Sequence, residues 1–192
     1  MAAVSSAEVE KRILELKKQF PHAKYYLHFS NPLELLVAAI LSAQARDEVV
    51  NSVTLALFKK YKTAKDYANT NLQELIKDIS RISFAGNKAK MIKATCKILV
   101  EKHGGRVPAS MEELVKLPGI GRKTANTILI NAFGRVEGIP VDTWVIKLSQ
   151  EFGWTKEKNP EKIERDLMRL VPKKHWKEIA YLLKAYGRVH KK

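Results

Sequence analysis

Helix starts punctuate the chain, each followed by apolar residues at helical spacing, and strand signals are scarce. Ser5-Ser6-Ala7-Glu8 has the form of a capping box, whose two ends satisfy each other's free N–H groups, and it precedes Ile13, Leu14 and Leu16. Asn31-Pro32-Leu33-Glu34 supplies a cap, a first-turn proline and an acid ahead of Leu35-Leu36-Val37-Ala38-Ala39-Ile40-Leu41. That run is apolar on nearly all sides, which predicts a central buried helix. Val49 to Tyr61 follows at helical spacing, Thr63-Ala64-Lys65-Asp66 and Asn71-Leu72-Gln73-Glu74 open two short helices, and Lys88 to Lys102 forms another, closed by Gly104-Gly105. Ser110-Met111-Glu112-Glu113 opens the next, and Asp142-Thr143, Asn159-Pro160-Glu161 and Pro172-Lys173 start the last three. The pattern predicts an all-α protein of about ten short helices, without repeats, low-complexity tracts or long linkers.

Between two of these helices stands Leu117-Pro118-Gly119-Ile120-Gly121, after which Arg122-Lys123-Thr124-Ala125 opens an apolar helix. The glycines make a tight turn that lets backbone N–H groups approach a phosphate at a helix start, where the dipole favours anions. Leu114 and Leu117 before the turn, with Ala125, Ile128 and Leu129 after it, complete a helix-hairpin-helix pattern. Gly119, Gly121, Arg122 and Thr124 are therefore expected at DNA. Such a hairpin implies only sequence-independent phosphate contact, and an ordinary helix–helix turn can share its Gly-x-Gly. Lys123 is a cation in a turn where the macrodipole disfavours one. Phosphate contact is its plainer role. The helix start and Arg122 both disfavour its charged form, however, and a free amine there could attack a sugar C1′ to give a Schiff base.

Nineteen residues beyond Lys123 lies Asp142, in Gly138-Ile139-Pro140-Val141-Asp142. It reads as an N-cap for Thr143-Trp144-Val145, and the same carboxylate could stabilise positive charge on an opening sugar ring. Gly134 to Pro140 is the candidate boundary, so Lys123 and Asp142 are expected on either side of a junction between helical lobes.

Charge narrows the partner. The 192 residues hold 35 Lys and Arg against 20 acids, a net +15, which points to a polyanion and salt-sensitive association. No apolar stretch approaches the ~18 residues needed to span a bilayer and no signal peptide heads the chain, so a soluble, intracellular protein of the cytoplasm or nucleoid is expected. Cys96, the single cysteine, excludes an intrachain disulfide framework and suits a small apolar helix position. His22, His28, His103, His175 and His190 lack metal-ligand spacing, so no catalytic zinc is expected.

Leu117 to Asn126 followed by Val141-Asp142-Thr143, and Phe29 to Leu36 running into Leu41-Ser42-Ala43-Gln44-Ala45-Arg46-Asp47, strongly resemble the endonuclease III branch of the helix-hairpin-helix DNA glycosylases. The resemblance covers roughly residues 8–188 and implies two helical lobes with a DNA-binding cleft between them. One would be a six-helix barrel over 27–135. The other would join 1–26 to 136–192. By matching motif, Lys123 would be the nucleophile of a bifunctional glycosylase/AP lyase acting on damaged, oxidised pyrimidines. Relatives that only cleave the glycosidic bond carry another residue there. Asp142 would assist base departure, and Gln44 would fill the hole left by a flipped nucleotide. Phe84, in Ser83-Phe84-Ala85-Gly86-Asn87-Lys88-Ala89, falls where the family places an apolar wedge, a core aromatic being the alternative. Lys88 beside it is expected at DNA.

Two departures from the family stand out. Its four cysteines for a [4Fe–4S] cluster normally follow a Gly-Arg pair, whereas Gly187-Arg188 here is followed by Val189-His190-Lys191-Lys192, so no iron–sulfur cluster or other cofactor is expected. The basic end from Arg188 could take over some phosphate contacts. Trp144 stands where the branch usually has histidine, and it either reshapes the lesion pocket or packs the lobe. The expected partner is double-stranded DNA with a damaged base or abasic site, bound by a monomer without any membrane. A mismatch or uracil glycosylase with weak lyase activity, and a non-catalytic helix-hairpin-helix DNA-binding module, are the alternatives.

Overall fold

The computed structural model describes residues 4–190, so Lys191 and Lys192 of the basic end lie outside the described residues. Its elements are α1 Ser6–Gln19, α2 Pro32–Ser42, α3 Asp47–Lys60, α4 Ala64–Asn69, α5 Leu72–Asp78, α6 Ala85–His103, α7 Met111–Leu114, α8 Arg122–Phe133, α9 Thr143–Glu151, α10 Pro160–Leu170, a 3-10 turn at Lys173–His175, and α11 Ile179–Val189. Among the described residues there is no strand. Both capping boxes form, Ser5 with Glu8 and Thr63 with Asp66. Asn31, Asn71, Ser110 and Asn159 accept from the first-turn N–H groups that a helix leaves unpaired.

The chain divides into two compact units, Tyr26–Gly134 and Met1–Tyr25 with Arg135–Lys192. In the first, α2 is the central helix: Leu35 to Leu41 are buried on every side, and it packs on α3, α6 and α8. Ala125, Ile128 and Leu129 of α8 and Ile92, Cys96 and Leu99 of α6 complete this core. The second unit closes around Val9, Ile13 and Leu16 of α1, Val145 and Leu148 of α9, Ile163 and Leu167 of α10, and Ile179, Leu182 and Leu183 of α11.

The helix expected from Pro172-Lys173 is only a single 3-10 turn, and α11 starts at Ile179. The side chains here turn back on the backbone and on each other. The Trp176 indole N–H donates to the Val171 carbonyl at 2.8 Å, and buried His175 meets Glu178 at 2.8 Å. These local bonds compete with a continuing ladder.

In the second unit Trp144 lies against the backbone of Gly187, so close that a Cβ at 187 would stand 2.1 Å from the indole Cε3. Gly187 is there because the ring occupies the space of a side chain. Gly187→Ala should therefore destabilise by about 1–3 kcal/mol through overpacking. Gly86→Ala in α6, where a Cβ meets nothing within 4 Å, should be neutral or stabilise by up to about 1 kcal/mol. Chemical denaturation of both variants checks the contrast, and equal stabilities would refute it.

Candidate functional site

The hairpin is built on two buried pegs. Leu117 and Ile120 sit in the core and the Ile120 N–H donates to the Leu117 carbonyl at 3.1 Å, which leaves Gly119 and Gly121 exposed at the tip. Gly119 has φ +81, a backbone that favours glycine, and a Cβ there would press on Met91 Sδ at 3.2 Å, so that flexible side chain would have to yield. Thr95 of α6 donates its hydroxyl to the Pro118 carbonyl at 2.8 Å, tying the turn down from below.

Gly121 is the N-cap of α8, and having no side chain it offers the first turn no capping group. That turn also has no acid and carries Arg122 and Lys123, both exposed, with Thr124 half-buried. The positive end of the helix dipole and two cations thus coincide, an arrangement suited to an anion. The Lys123 carbonyl accepts from the Thr127 hydroxyl at 3.0 Å, within α8. Lys116, before the turn, is an exposed lysine joined to Glu113 at 2.7 Å and Glu112 at 3.2 Å.

Asp142 belongs to the other unit and is the N-cap of α9, its Oδ1 accepting from the Val145 N–H at 2.9 Å. The carboxylate is half-buried, so its capping bond coexists with partial access to solvent. Trp144 follows on α9, half-buried against Gly187, which makes lobe packing one of its roles.

Gln44 and Phe84 share an unusual backbone. They are the two non-glycine residues with positive φ among the described residues, at 52° and 60°. A bulky side chain in the left-handed region is strained by about 1–3 kcal/mol and persists only where its surroundings over-determine it. Both are exposed, Phe84 at 63%, so the core-aromatic alternative does not describe it. With Ile40, Ala43, Asn87, Lys88, Met91 and Gly119 they line a depression of about 380 Å³ in the first unit. A separate hollow of about 260 Å³ around Phe29, Thr54 and Phe58 contains none of these residues.

Lys88, expected at DNA, is mostly buried in this structure and engages backbone carbonyls. It is 5% exposed, and its ammonium donates to the carbonyls of Leu41 at 2.9 Å and Ala43 at 2.5 Å. Burial pushes its pKa below that of an ordinary lysine. The physical reason lies in α2, which ends with unpaired carbonyls and has no basic residue in its last turn. A cation from α6 fills that need instead. Lys93, one turn and a half further along α6, does the same for α4 through the carbonyls of Ala68 and Thr70. Sequence reasoning also missed Met91 and Asn87 at the rim. The signal available for Lys88 was a helix ending in Ile40-Leu41-Ser42 with neither glycine nor cation to finish it.

Residues 37–173 match the HhH-GPD superfamily base excision DNA repair protein family. The chain belongs to that family. Endonuclease III of Synechocystis is 47% identical over 176 residues, 92% of this chain and 80% of the relative, and that of Bacillus subtilis is 45% identical over 184 residues, 95% and 84%. A solved structure described as a trapped endonuclease III–DNA covalent intermediate, an estranged-adenine complex, superposes with a TM-score of 0.93 at 40% identity, covering 98% of this chain and 89% of that one. Within the superfamily the chain is thus an endonuclease III-type base excision repair DNA glycosylase/AP lyase.

The residues present do not fit the cluster that the resemblance brings to mind. Cys96 is fully buried in the core of the first unit, and burial pushes its thiol up to about 12, far from a thiolate ligand. Among the described residues no group of three or more His, Cys, Asp or Glu could hold a metal ion, and no helix is long and apolar enough to cross a membrane.

Proposed function

We propose that this chain removes oxidised pyrimidines from duplex DNA and nicks the strand by β-elimination, with Lys123 as nucleophile and Asp142 as the assisting carboxylate. The observation that carries the reading is the exposed Lys123 in the first turn of an uncapped, acid-free helix directly after the hairpin. The Lys123 amine attacks C1′ and the base leaves with the electrons of the glycosidic bond. Asp142 places negative charge near the sugar as positive charge develops there. The nitrogen gives up a proton, its lone pair forms the C=N bond as the C1′–O4′ bond breaks, and O4′ takes a proton as the ring opens. Loss of a C2′ proton from the resulting protonated imine then expels the 3′ phosphate and the strand is cut. The covalent state named for the similar endonuclease III complex supports an attached intermediate. Gly119, Gly121, Arg122 and Thr124 hold the phosphate backbone. The enzyme acts as a monomer in the cytoplasm with the nucleoid, and this chemistry uses no iron–sulfur cluster or other cofactor.

Excision measured across duplexes containing an oxidised pyrimidine, uracil, or a thymine mismatch tests the lesion. Preferential release of the oxidised pyrimidine with a coupled nick is expected. Preferential release of uracil or mismatched thymine without a nick would replace this reading by that of a mismatch glycosylase, for which Trp144 is the sequence feature.

Gln44 enters the space of the flipped nucleotide and Phe84 wedges against the opposite base. Unstacking costs a few kcal/mol, so these residues act on the flipped state alone. Gln44→Ala and Phe84→Ala should weaken binding to lesion duplex roughly tenfold or more, the scale of a base–aromatic stack, and leave undamaged duplex nearly unaffected. Because Phe84 is exposed, its replacement should barely move the melting temperature. A large loss of stability with discrimination intact would remove the wedge role.

A further inference from the structure

Lys88 is bonded to Phe84 at one end of its own structure and to the residue before Gln44 at the other. Its backbone N–H donates to the Phe84 carbonyl at 3.1 Å, the first bond of α6. Its ammonium holds the Leu41 and Ala43 carbonyls, and the second of these belongs to the peptide unit that joins Ala43 to Gln44. Between these ends the side chain is almost wholly buried, beside the depression that Gln44 and Phe84 also line.

The exit from α2 needs such a tie. Ala43 leaves the helix at φ −58 and ψ 120, and Gln44 then turns left-handed with φ 52. Apart from the bond of the Ala45 N–H to the Ser42 carbonyl at 3.2 Å, the described hydrogen bonds of this corner all come from Lys88 and from the Ser42 hydroxyl on Ala39. A glycine would adopt the turn freely, whereas glutamine must be held in it.

We infer that Lys88 is a positioning residue that fixes the Gln44 corner relative to Phe84, so that both enter the duplex as one unit. The inference rests on the proposed role of Gln44 in filling the vacated space. Lys88 itself meets no DNA. Its ammonium is committed to two carbonyls, and withdrawing it would leave them unpaired at the negative end of α2.

The test compares wild type, Lys88→Met, Gln44→Ala and the double variant. In the free protein, Lys88→Met should speed hydrogen exchange at Ala45 and its neighbours while residues 117–121 keep their wild-type rates. The ratio of affinities for lesion and undamaged duplex should fall roughly tenfold, the scale of a lost hydrogen bond to a charged group. The salt slope should stay unchanged. The double variant should discriminate no worse than Gln44→Ala alone, because Lys88 acts through Gln44. A slope smaller by about 1 would make Lys88 a phosphate contact and overturn the inference. So would independent, multiplying effects of the two substitutions, or unchanged exchange at Ala45. If Gln44→Ala leaves discrimination intact while Lys88→Met still loosens Ala45, the space-filling role fails and the tie stands. If Lys88→Met does not fold, Lys88→Gln, whose amide is shorter and uncharged, carries the same readouts. Failure of both to fold would reduce Lys88 to a requirement of the fold.

Discussion

Lys123→Gln is expected to abolish the borohydride-trapped complex with abasic DNA while leaving duplex binding largely in place. The trap reports one bond. An imine between the lysine nitrogen and C1′ accepts hydride at carbon and becomes a stable amine, so a crosslink forms only where a primary amine has reached the sugar. Glutamine has no nucleophilic amine, yet it keeps a similar stem length and helix propensity. The exposed position and the bond from the Thr127 hydroxyl to the residue 123 carbonyl do not depend on the ammonium. Loss of one cation should lower the salt slope by about 1 at most. Gly119, Gly121 and Arg122 would still hold the backbone. The measurement is single-turnover trapping on abasic duplex, alongside binding of the same duplex. A crosslink that survives the substitution would assign the nucleophile to another amine, and an active wild type that never crosslinks would make the protein a glycosylase without lyase chemistry.

Asp142→Asn should slow single-turnover base release by roughly 10²–10³-fold, the range for removing one preorganised electrostatic partner. The substitution separates the observed capping role from the proposed electrostatic one. Asparagine is as good an N-cap as aspartate, so the bond to the Val145 N–H and the start of α9 should survive. The charge is lost, and with it the ability to offset positive charge on the sugar. Asp142→Ala removes both, and should add a stability loss of about 1 kcal/mol to the same kinetic defect. If asparagine supports wild-type rates while alanine does not, Asp142 is only a cap.

The helix starts were legible because their signals are local. Ser5 with Glu8, Asn31 with Pro32, and Asn159 with Pro160 announce their helices within four residues, and the structure forms each cap. The run Leu35 to Leu41 announced a buried helix by lacking any polar face. Pro172-Lys173 failed because Trp176 and His175 bond to nearby groups that a capping pattern does not represent. At the site, the hairpin, Lys123 and Asp142 stood out through spacing. Lys88 did not, since a lysine in a chain of net charge +15 looks like one more phosphate contact. The carbonyls it holds in the structure lie 45 and 47 residues back along the chain, and no periodicity connects them. The left-handed turn at Gln44 was hidden for a similar reason: the residue type argues against it, and no local pattern announces it. Trp144 and Gly187 are likewise a pair whose meaning appears only when the two are side by side.

Phe84, Lys88, Met91 and Thr95 follow one another along a single face of α6, and each engages a different part of the first unit: the rim, the Gln44 corner, the Gly119 turn and the Pro118 carbonyl. The helix therefore works as a ruler with four fixed marks. One residue inserted or deleted between 84 and 95 would rotate everything beyond it by about 100° and shift it by about 1.5 Å, so that no adjustment of side chains could keep all four marks aligned. Beyond Thr95, where α6 runs on to His103 and Gly104, its length sets none of these engagements. Along this face, then, the eleven steps from Phe84 to Thr95 have their number fixed by four engagements, and beyond them Cys96 and Leu99 are held by the core alone.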